Sequence, residues 1–489
     1  MAGSPQSLPT STTLTRRDKL GYGVGELGAS LSYNAVNLFW LFFLVEVAGL
    51  EPSLAGWALV LGRVVDAVTD PLMGALYDRL RSRVAAWQYL FWGALPFGVS
   101  FALLWWLPFA SPLLSFVVAA ALLPVHTVIF TAVQVPYLAL TPLLAPGYDE
   151  RTSLSSYRVA FGTVASLFAA ALPPVLAALF RGWFGGTGWF GVGVVFGAVA
   201  SLAYLSTAWS LRRTVRGGGF ADAGFADDSS ANDNRADNHA DNRLADDAAL
   251  LTVGRPGVAS LFRVRGYPQM LALFVTVTLG LGVLSSMLPF FLATRGLGPT
   301  TQTLTLGGLF VTAVLVLPLW TRVARWGGKA RAFTIGLLLI SAGLLLILTV
   351  PTGSVSPPLV LVTLLVGAGL ATVLLFPWAL LPDLVEVDAL QHGTRREGLL
   401  YAVFTFAQKT AFAVGAWLNA QVLGLVGYQP GGAEQSPTAV LGVLLMVGPG
   451  AALLFAVAAL LAWRYPHRRN DHRAAQQTLA RRSDPATRR

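Results

Sequence analysis

Twelve long apolar segments alternate with short polar ones along the 489 residues of the chain. Each segment is about as long as a helix that crosses a bilayer, which needs roughly 20 residues. The strands of a membrane β-barrel would be about 10 residues long with strict alternation, a pattern that this chain lacks. The sequence therefore predicts an all-α membrane protein with twelve transmembrane helices. The segments lie at roughly 21–45, 54–77, 87–107, 112–140, 153–180, 188–211, 267–293, 300–321, 332–351, 357–381, 398–425 and 437–463.

Lysine and arginine are concentrated on one side of this arrangement. An even number of spans places both termini on the same side, and 29 of the 34 basic residues fall there. Only Arg181 and Arg295 fall on the other side, and three more lie within spans. Because cytoplasmic loops carry the excess of positive charge, we expect both termini in the cytoplasm and the protein in the cell membrane. The net charge of +10 thus reflects topology, and no nucleic-acid partner is expected.

Composition narrows the class of function. Hydrophobic residues make up 55% of the chain and charged residues 12%, about half the charged fraction of an ordinary soluble domain. The chain has no cysteine and five histidines, which excludes thiol chemistry and leaves little for a metal centre. No nucleophile–base pair and no phosphate-binding Gly-x4-Gly-Lys-Ser/Thr motif stands out. We therefore expect neither an enzyme nor an ATP-driven pump, and no cofactor apart from a coupling ion.

The spans divide into two halves of six. The Asp- and Asn-rich stretch 217–250 has the composition of a disordered linker. A weak repeat relates the halves, since VPYLALTP begins at Val135 and FPWALLPD at Phe376. Transporters built from repeated bundles place their sites near the membrane midplane. The predicted organisation is a tail (1–18), a helical bundle (19–212), a linker (213–262), a second bundle (263–465) and a basic tail (466–489).

Three charged residues lie inside the second span. At about 100° per residue, Arg63, Asp66 and Asp70 share one helix face. Charges at this depth are costly and mark functional pathways. Two carboxylates one turn apart can ligate a small cation or share a proton, and a single Arg leaves them with net negative charge. The alternative is that Arg63 only neutralises the acids in a structural ion pair.

A buried lysine in the eleventh span is the natural partner of these acids. Lys409 lies near mid-depth in the other half of the chain, and Asp66 and Asp70 are the nearest plausible carboxylates. An ion pair between the halves that forms and breaks would couple them. A static bridge is the alternative.

Polar stripes at helical spacing predict the lining of an aqueous cavity, or contacts between helices. They follow the first, fourth and eleventh spans. Arg158, one turn into the fifth span, could bind a substrate or pair with Asp66, Asp70 or Glu26. We expect a small organic substrate to contact Glu26, Ser30, Tyr33, Gln134, Arg158, Trp378 and Thr405. Asn37, Thr127, Thr131, Tyr401 and Gln408 complete the stripes.

Charges at the cytoplasmic ends of the spans form a candidate gate, which would close when the cavity faces outward. Ordinary solvated loops are an equally good interpretation. The gate residues are Asp149, Glu150, Arg151, Asp383 and Arg395.

Longer motifs resemble the glycoside–pentoside–hexuronide:cation symporters, the melibiose permease-like family of the major facilitator superfamily. The motifs are KLGYGVGELG at 19–28, GRVVDAVTDPLMGALYDRLRSR at 62–83, VPYLALTPLL at 135–144, YDERTSLSSYR at 148–158, PWALLPDLVEVD at 377–388 and RREGLLYAVFTFAQK at 395–409. The resemblance implies the major facilitator fold and alternating access. It also implies a sodium, lithium or proton site at Asp66 and Asp70 to which Thr131 contributes. Lys409 would lie beside that site, and Arg158 would help to hold a sugar.

The chain departs from the sugar-transporting members at two positions. Those members carry a Lys-Asp pair where this chain has Ala29-Ser30, and an Asp where it has Gln134. The chain is also similar to the sodium-dependent lysophospholipid symporters of animals, which share the second-span motif and the eleventh-span lysine.

The sequence thus predicts a cation-coupled symporter, driven by Na⁺ or H⁺ and acting as a monomer in the lipid bilayer. Its most plausible solute is a sugar or glycoside, with lysophospholipid or another amphiphile as the alternative. A membrane sensor that transports nothing is the alternative from another class.

Overall fold

Twelve long helices account for nearly all of the described chain, as the apolar segments predict. The structure is a computed structural model. It describes residues 14–80, 83–107, 111–145, 148–182, 187–217, 261–262, 264, 266–353, 355–392, 397–431 and 434–465. The helices are α1 (Arg16–Phe42, continued by a π-turn at Phe43–Val47), α2 (Pro52–Leu80), α3 (Ala86–Leu104), α4 (Pro112–Leu144), α5 (Tyr148–Leu179), α6 (Trp189–Gly217), α7 (Tyr267–Thr294), α8 (Pro299–Gly327), α9 (Lys329–Leu346, then a 3-10 turn at Ile347–Thr349), α10 (Pro357–His392), α11 (Glu397–Leu425) and α12 (Pro437–Leu445, a π-turn at Met446–Gly450, then Ala451–Trp463).

Proline begins five of these helices. Its fixed φ suits the first helical turn, and its missing N–H falls where no helical partner exists. On α4 the preceding Ser111 adds a cap, because its hydroxyl accepts a hydrogen bond from the Leu114 N–H at 3.1 Å. The polar loops between spans therefore also encode where the next helix starts. The five prolines are Pro52, Pro112, Pro299, Pro357 and Pro437.

Several helices extend beyond their apolar segments. The segment at 357–381 lies in a helix that continues to His392, and α6 ends at Gly217, inside the predicted linker that begins at 213. Apolar residues report only the part of a helix that contacts lipid, whereas the backbone hydrogen bonds continue into polar sequence. Most of the predicted linker and both tails lie outside the described residues.

Ten of the described helices are long and apolar enough to cross a membrane. The other two long helices, α2 and α11, are 29 residues each. They carry the predicted site charges Arg63, Asp66 and Asp70 on α2 and Lys409 on α11, which lower their mean hydropathy. Apart from these charged residues, α2 and α11 resemble the other spans in length and in packing. The protein is a multi-pass membrane protein, and the charged residues of its candidate site lie on the two long helices outside this set of ten.

The two halves pack against each other through three helix pairs. These pairs are α1 with α7, α2 with α11, and α5 with α8, whereas most other helix packing stays within α1–α6 or within α7–α12. Single large apolar side chains project outward, such as Trp92, which is 72% exposed, and Leu95. An outward apolar surface over an inner polar region is the arrangement that a lipid bilayer requires.

Contacts between the halves cluster at the end of the bundle opposite the start of α1 and the end of α12, here called the far end. The rings of Phe42 and Phe290 lie 5.2 Å apart. Trp57 and Trp417 meet edge to face at 5.7 Å. The Thr303 hydroxyl donates to the carbonyl oxygen of Ala171 at 2.6 Å. The halves are therefore joined tightly at the far end.

Two glycines allow α3 and α6 to pack with their backbones almost in contact. A Cβ atom built on Gly98 would lie 2.5 Å from the carbonyl oxygen of Gly197 and 2.1 Å from the hydroxyl of Ser201. A Cβ on Gly197 would lie 2.4 Å from the carbonyl oxygen of Gly98. Small residues of this kind let transmembrane helices approach closely.

We therefore expect Gly98→Ala to destabilise the purified protein by about 1–3 kcal/mol, because the methyl group has to push one backbone away from the other. The melting midpoint in detergent, followed by tryptophan fluorescence, measures this effect. Gly74→Ala on α2 is the matched control, since a Cβ there meets no atom within 4 Å. An unchanged midpoint for Gly98→Ala would contradict the close packing of α3 and α6.

Candidate functional site

The charged face predicted on α2 is present and points toward the other half. The Asp66 side chain is only 7% exposed, and that of Asp70, one turn further along, is 37% exposed. The helix continues through Pro71, which follows the second carboxylate directly. The side chain of Asp70 is therefore partly accessible, whereas that of Asp66 is buried.

Lys409 on α11 contacts both carboxylates. Its Nζ lies 3.0 Å from Oδ2 of Asp66 and even closer to Oδ2 of Asp70, to which it donates a hydrogen bond. The structure thus brings together the three residues that the sequence places in different halves. It also changes the expected charge balance. Counted with Arg63 alone, the acids keep a net negative charge, but Lys409 supplies the second positive charge in this conformation.

A hydroxyl group completes the oxygen cluster. The Thr131 hydroxyl on α4 donates a hydrogen bond to Oδ1 of Asp70 at 3.0 Å. Thr131 is almost fully buried, at 1% exposure. Carboxylate and hydroxyl oxygens are the ligands that small hard cations prefer. The side chains present can therefore hold a monovalent cation, provided that the ammonium group of Lys409 moves away.

Arg63 lies one turn before Asp66 on α2 and is held by α1. Its guanidinium nitrogen is 3.9 Å from Oδ2 of Asp66, and it donates a hydrogen bond to the side-chain oxygen of Asn37. Its carbon Cζ lies 5.5 Å from the centre of the Tyr33 ring, within range of a cation–π interaction. Two predicted cavity residues, Tyr33 and Asn37, thus fix the arginine in place.

A second charged pair joins α1 and α5. The Arg158 guanidinium lies 3.7 Å from Oε2 of Glu26, and the Ser30 hydroxyl donates to Oε1 of the same carboxylate at 3.0 Å. Of the partners open to Arg158 from the sequence, the structure selects Glu26. The arginine side chain is still 30% exposed. This pair forms a polar surface on the first half of the protein.

The remaining predicted substrate residues are divided between the halves. Gln134 points into its own half, where its side-chain oxygen accepts a hydrogen bond from Tyr204 at 3.2 Å. Trp378 is 43% exposed and packs edge-on against the aromatic rings of Phe274 and Phe404 on α7 and α11. Thr405 is half-buried on α11. Trp378 therefore belongs to an aromatic cluster within the second half.

Of the five residues of the predicted cytoplasmic gate, only Glu150 has a side chain among the described residues. Glu150 pairs with Lys19 at 3.0 Å and accepts a hydrogen bond from the Leu14 N–H at 3.1 Å, both within the first half. The side chains of Asp149, Arg151 and Asp383, and the whole of Arg395, lie outside the described residues. The gate stays a prediction.

His126 fills a structural position in the first half of the protein. Its ring lies buried between Ser32 and Ser100, at 3.1 Å and 2.9 Å from their hydroxyl oxygens. Both ring nitrogens are thereby satisfied. The histidine joins α1, α3 and α4 and faces away from the charged site, among the rings of Phe97 and Phe101.

The closure at the far end is not predicted by the sequence motifs. Tyr428, in the loop after α11, donates a hydrogen bond to Glu46 of the other half. Burial, and then the adjacent carboxylate, raise the pKa of the Tyr428 phenol above its ordinary value. The backbone N–H of Gly431 donates to the carbonyl oxygen of Val45 at 3.3 Å. An isolated acid at the end of the first span was the available signal for this contact.

Known proteins share both the fold of this chain and its sequence motifs. The family described as MFS/sugar transport protein matches residues 21–227 and 238–469. A symporter of Synechocystis without an assigned substrate is 27% identical, over 94% of this chain and 96% of its own length. The isoprimeverose transporter of Lactiplantibacillus pentosus is 22% identical, over 87% and 84% respectively.

An animal relative and a solved structure extend the comparison. The sphingosine-1-phosphate transporter MFSD2B of Mus musculus is 26% identical, over 95% of this chain and 92% of its own. The xylose transporter XylE from E. coli, in an inward open conformation, shares the fold with a TM-score of 0.58 and 17% identity, over 94% of this chain and 98% of that chain. The resemblance inferred from the motifs is confirmed. Since the family match covers nearly the whole sequence, the chain belongs to the MFS/sugar transport family of membrane transporters.

Proposed function

We propose that the protein is a symporter that uses a Na⁺ or H⁺ gradient to move a small organic solute by alternating access. The observation that carries the proposal is the contact of one ammonium group, that of Lys409, with both Asp66 and Asp70. Membership of a transporter family and similarity to named symporters support the same class of function.

The conformation fits one stage of such a cycle. The halves meet at the far end, through contacts such as Trp57 with Trp417. With both termini in the cytoplasm, as the distribution of basic residues predicts, this stage would correspond to a carrier closed to the outside. The charged side chains of Asp70, Lys409 and Arg158 are partly exposed, at 37%, 23% and 30%. They would be reached from the cytoplasmic side.

The cation and the lysine compete for the same oxygens. A cation bound between Asp66 and Asp70 would compete with the Lys409 ammonium group, which contacts the Oδ2 atom of each acid. A proton on either acid would weaken the same contact. Cation binding in one half therefore breaks an ion pair to the other half, and this links the ion to the relative position of the halves. Only such a difference in affinity between states can drive coupled transport.

A sugar or glycoside is the first candidate for the solute. Similarity to the isoprimeverose transporter supports it. The charged and hydroxyl groups of Glu26, Ser30 and Arg158 suit a hydroxyl-rich molecule. Uptake of labelled glycosides into proteoliposomes, with and without a sodium or pH gradient, tests this assignment. Glycoside flux that ignores both gradients would contradict it.

A phosphate-bearing amphiphile is the second candidate. Similarity to a sphingosine-1-phosphate transporter over 95% of the chain favours it. The exposed aromatic surface at Trp378 could contact an apolar chain. In the same proteoliposomes, this candidate requires that lysophospholipids inhibit uptake of the labelled solute and that glycosides do not.

Asp66→Asn is expected to abolish coupling, because it removes a cation ligand and leaves Lys409 with one carboxylate. Cation-stimulated solute affinity, which is typically about 5- to 150-fold in coupled systems, should fall to no stimulation. Binding measured with and without sodium, and at two pH values, gives this ratio. Glu434→Gln, an exposed acid in the loop between α11 and α12, is the matched control and should keep the full ratio. Retained stimulation in Asp66→Asn would exclude the proposed cation site.

Lys409→Gln is expected to strengthen cation binding in the absence of solute, because the competing ammonium group is gone. At the same time, cation binding should no longer raise solute affinity. Titration of the purified variant with sodium or protons, followed by its melting midpoint, gives the cation affinity. A variant that binds the cation more weakly than the wild type would show that Lys409 does not compete for the site.

A further inference from the structure

A small cavity lies between the two halves of the protein, next to Arg63. It is lined by α1 and α2 from the first half and by α7 and α11 from the second, and it has room for about one water molecule. Leu41 and Leu59 line it toward the far end, and the polar side chains of Asn37, Arg63 and Ser286 also reach it. Polar groups of both halves therefore meet at a cavity that neither half forms alone.

The first half supplies hydrogen-bond donors to this cavity. The Arg63 guanidinium has five N–H groups. Its hydrogen bond to the side-chain oxygen of Asn37 and its ion pair with Asp66 use only part of them. Asn37 accepts through its oxygen, so its amide nitrogen is a further donor at the same cavity. Both polar residues of the first half can therefore donate to one ligand.

The second half supplies hydrogen-bond acceptors. The Ser286 hydroxyl donates to the carbonyl oxygen of Gly282 at 2.8 Å and accepts from the amide nitrogen of Asn419 at 2.8 Å. A hydroxyl oxygen can accept two hydrogen bonds, so one position on Ser286 stays open. The side-chain oxygen of the fully buried Asn419 has no hydrogen-bond donor within the part of the chain that the structure describes. Two acceptors in the second half thus face the need for a donor.

These groups match the hydrogen-bonding capacity of a single water molecule. Water accepts two hydrogen bonds and donates two, and a buried water typically makes about three. An organic ligand exceeds the size of the cavity, and a cation would face the guanidinium group of Arg63. Water is therefore the ligand class that fits both the size and the chemistry.

A second cavity of similar size provides a contrast within the same protein. It lies inside the second half, among α7, α8, α9 and α10, and its lining is almost entirely aliphatic. The hydroxyls of Thr305 and Thr363 also line it, but each donates to a carbonyl oxygen of its own helix at 2.8 Å. Since apolar cavities stay dry, this second cavity is not expected to bind water.

We propose that the cavity beside Arg63 binds one water molecule, which joins the two halves while the far end is closed. Arg63 and Asn37 donate to the water, and the water donates to Ser286 and Asn419. When the far end opens, α1 and α2 part from α7 and α11, and the link through the water is broken. The inference concerns the closure itself and holds for any transported ion or solute.

Ala416 lines the cavity and allows a bound water to be distinguished from a dry cavity. Ala416→Val and Ala416→Thr introduce side chains of nearly the same shape, so both share any steric cost. The threonine hydroxyl can take the place of the water, whereas valine displaces the water and leaves buried donors unpaired. We expect Ala416→Thr to melt roughly 2–4 °C above Ala416→Val in detergent.

The second cavity supplies the control for this comparison. Val366→Thr is the same isosteric change in an apolar lining, where the added hydroxyl gains no partner from the cavity. The wild-type valine should therefore give the higher melting midpoint there. If Ala416→Val is as stable as Ala416→Thr, or more stable, the cavity beside Arg63 is dry and the proposal is overturned.

A thiol reporter tests the link between the halves, since the chain has no cysteine of its own. Ala420→Cys places a thiol on α11 at a fully buried position packed against Gly56 of α2, so it reacts when the far end opens. Adding Ser286→Ala removes one acceptor of the water and should raise the labelling rate roughly 2- to 10-fold. The bond between Ser286 and Asn419 lies within the second half, so its loss does not alter the balance between closed and open states.

Ser285→Ala in the same background is the matched control. The Ser285 hydroxyl donates to the carbonyl oxygen of Leu281 at 2.6 Å, and the residue is not part of the cavity lining. It should leave the labelling rate unchanged. An unchanged rate in Ser286→Ala, or an equal rise in Ser285→Ala, overturns the proposal. So does an experimental density map that resolves ordered water but shows none between Arg63 and Ser286 with the far end closed.

Discussion

The contact between the halves depends on one group of charges: the ammonium group of Lys409 touches Oδ2 of both Asp66 and Asp70. The acids belong to α2 and the lysine to α11, so the charge that satisfies one half comes from the other. In water such a contact would contribute little, but at low exposure the loss of one partner is costly. The relative position of the halves is therefore tied to what occupies the two carboxylates.

The sequence predicts this centre well, for physical reasons. Helical periodicity alone places Arg63, Asp66 and Asp70 on one face, and the cost of a buried lysine requires an acidic partner for Lys409. The sequence does not determine the charge balance, because the balance depends on which charged groups are in contact at the same time. Glu26 can be identified as the partner of Arg158 only when the distance between α1 and α5 is known. No local sequence pattern encodes that distance.

The sequence does not predict contacts between distant loops. It also does not predict the direction in which a side chain points. Tyr428 meets Glu46 only because the loop after α11 folds over the end of α1. Gln134 shares a polar stripe with Thr131, yet it turns toward Tyr204 while Thr131 turns toward Asp70. A stripe predicts which side of a helix is polar. It does not say which neighbouring helix each residue will contact.

Under the proposed function, the same charge balance sets the order in which the carrier can change conformation. With no ion bound, Lys409 is paired, and the halves can move without exposing an unpaired charge. With a cation alone, the lysine has lost its partners, and closing the space around it would bury an ammonium group without a counter-ion. A carrier that moves freely when empty or fully loaded, and is held when half loaded, does not leak its driving ion, so the ion gradient is used only when solute moves with it.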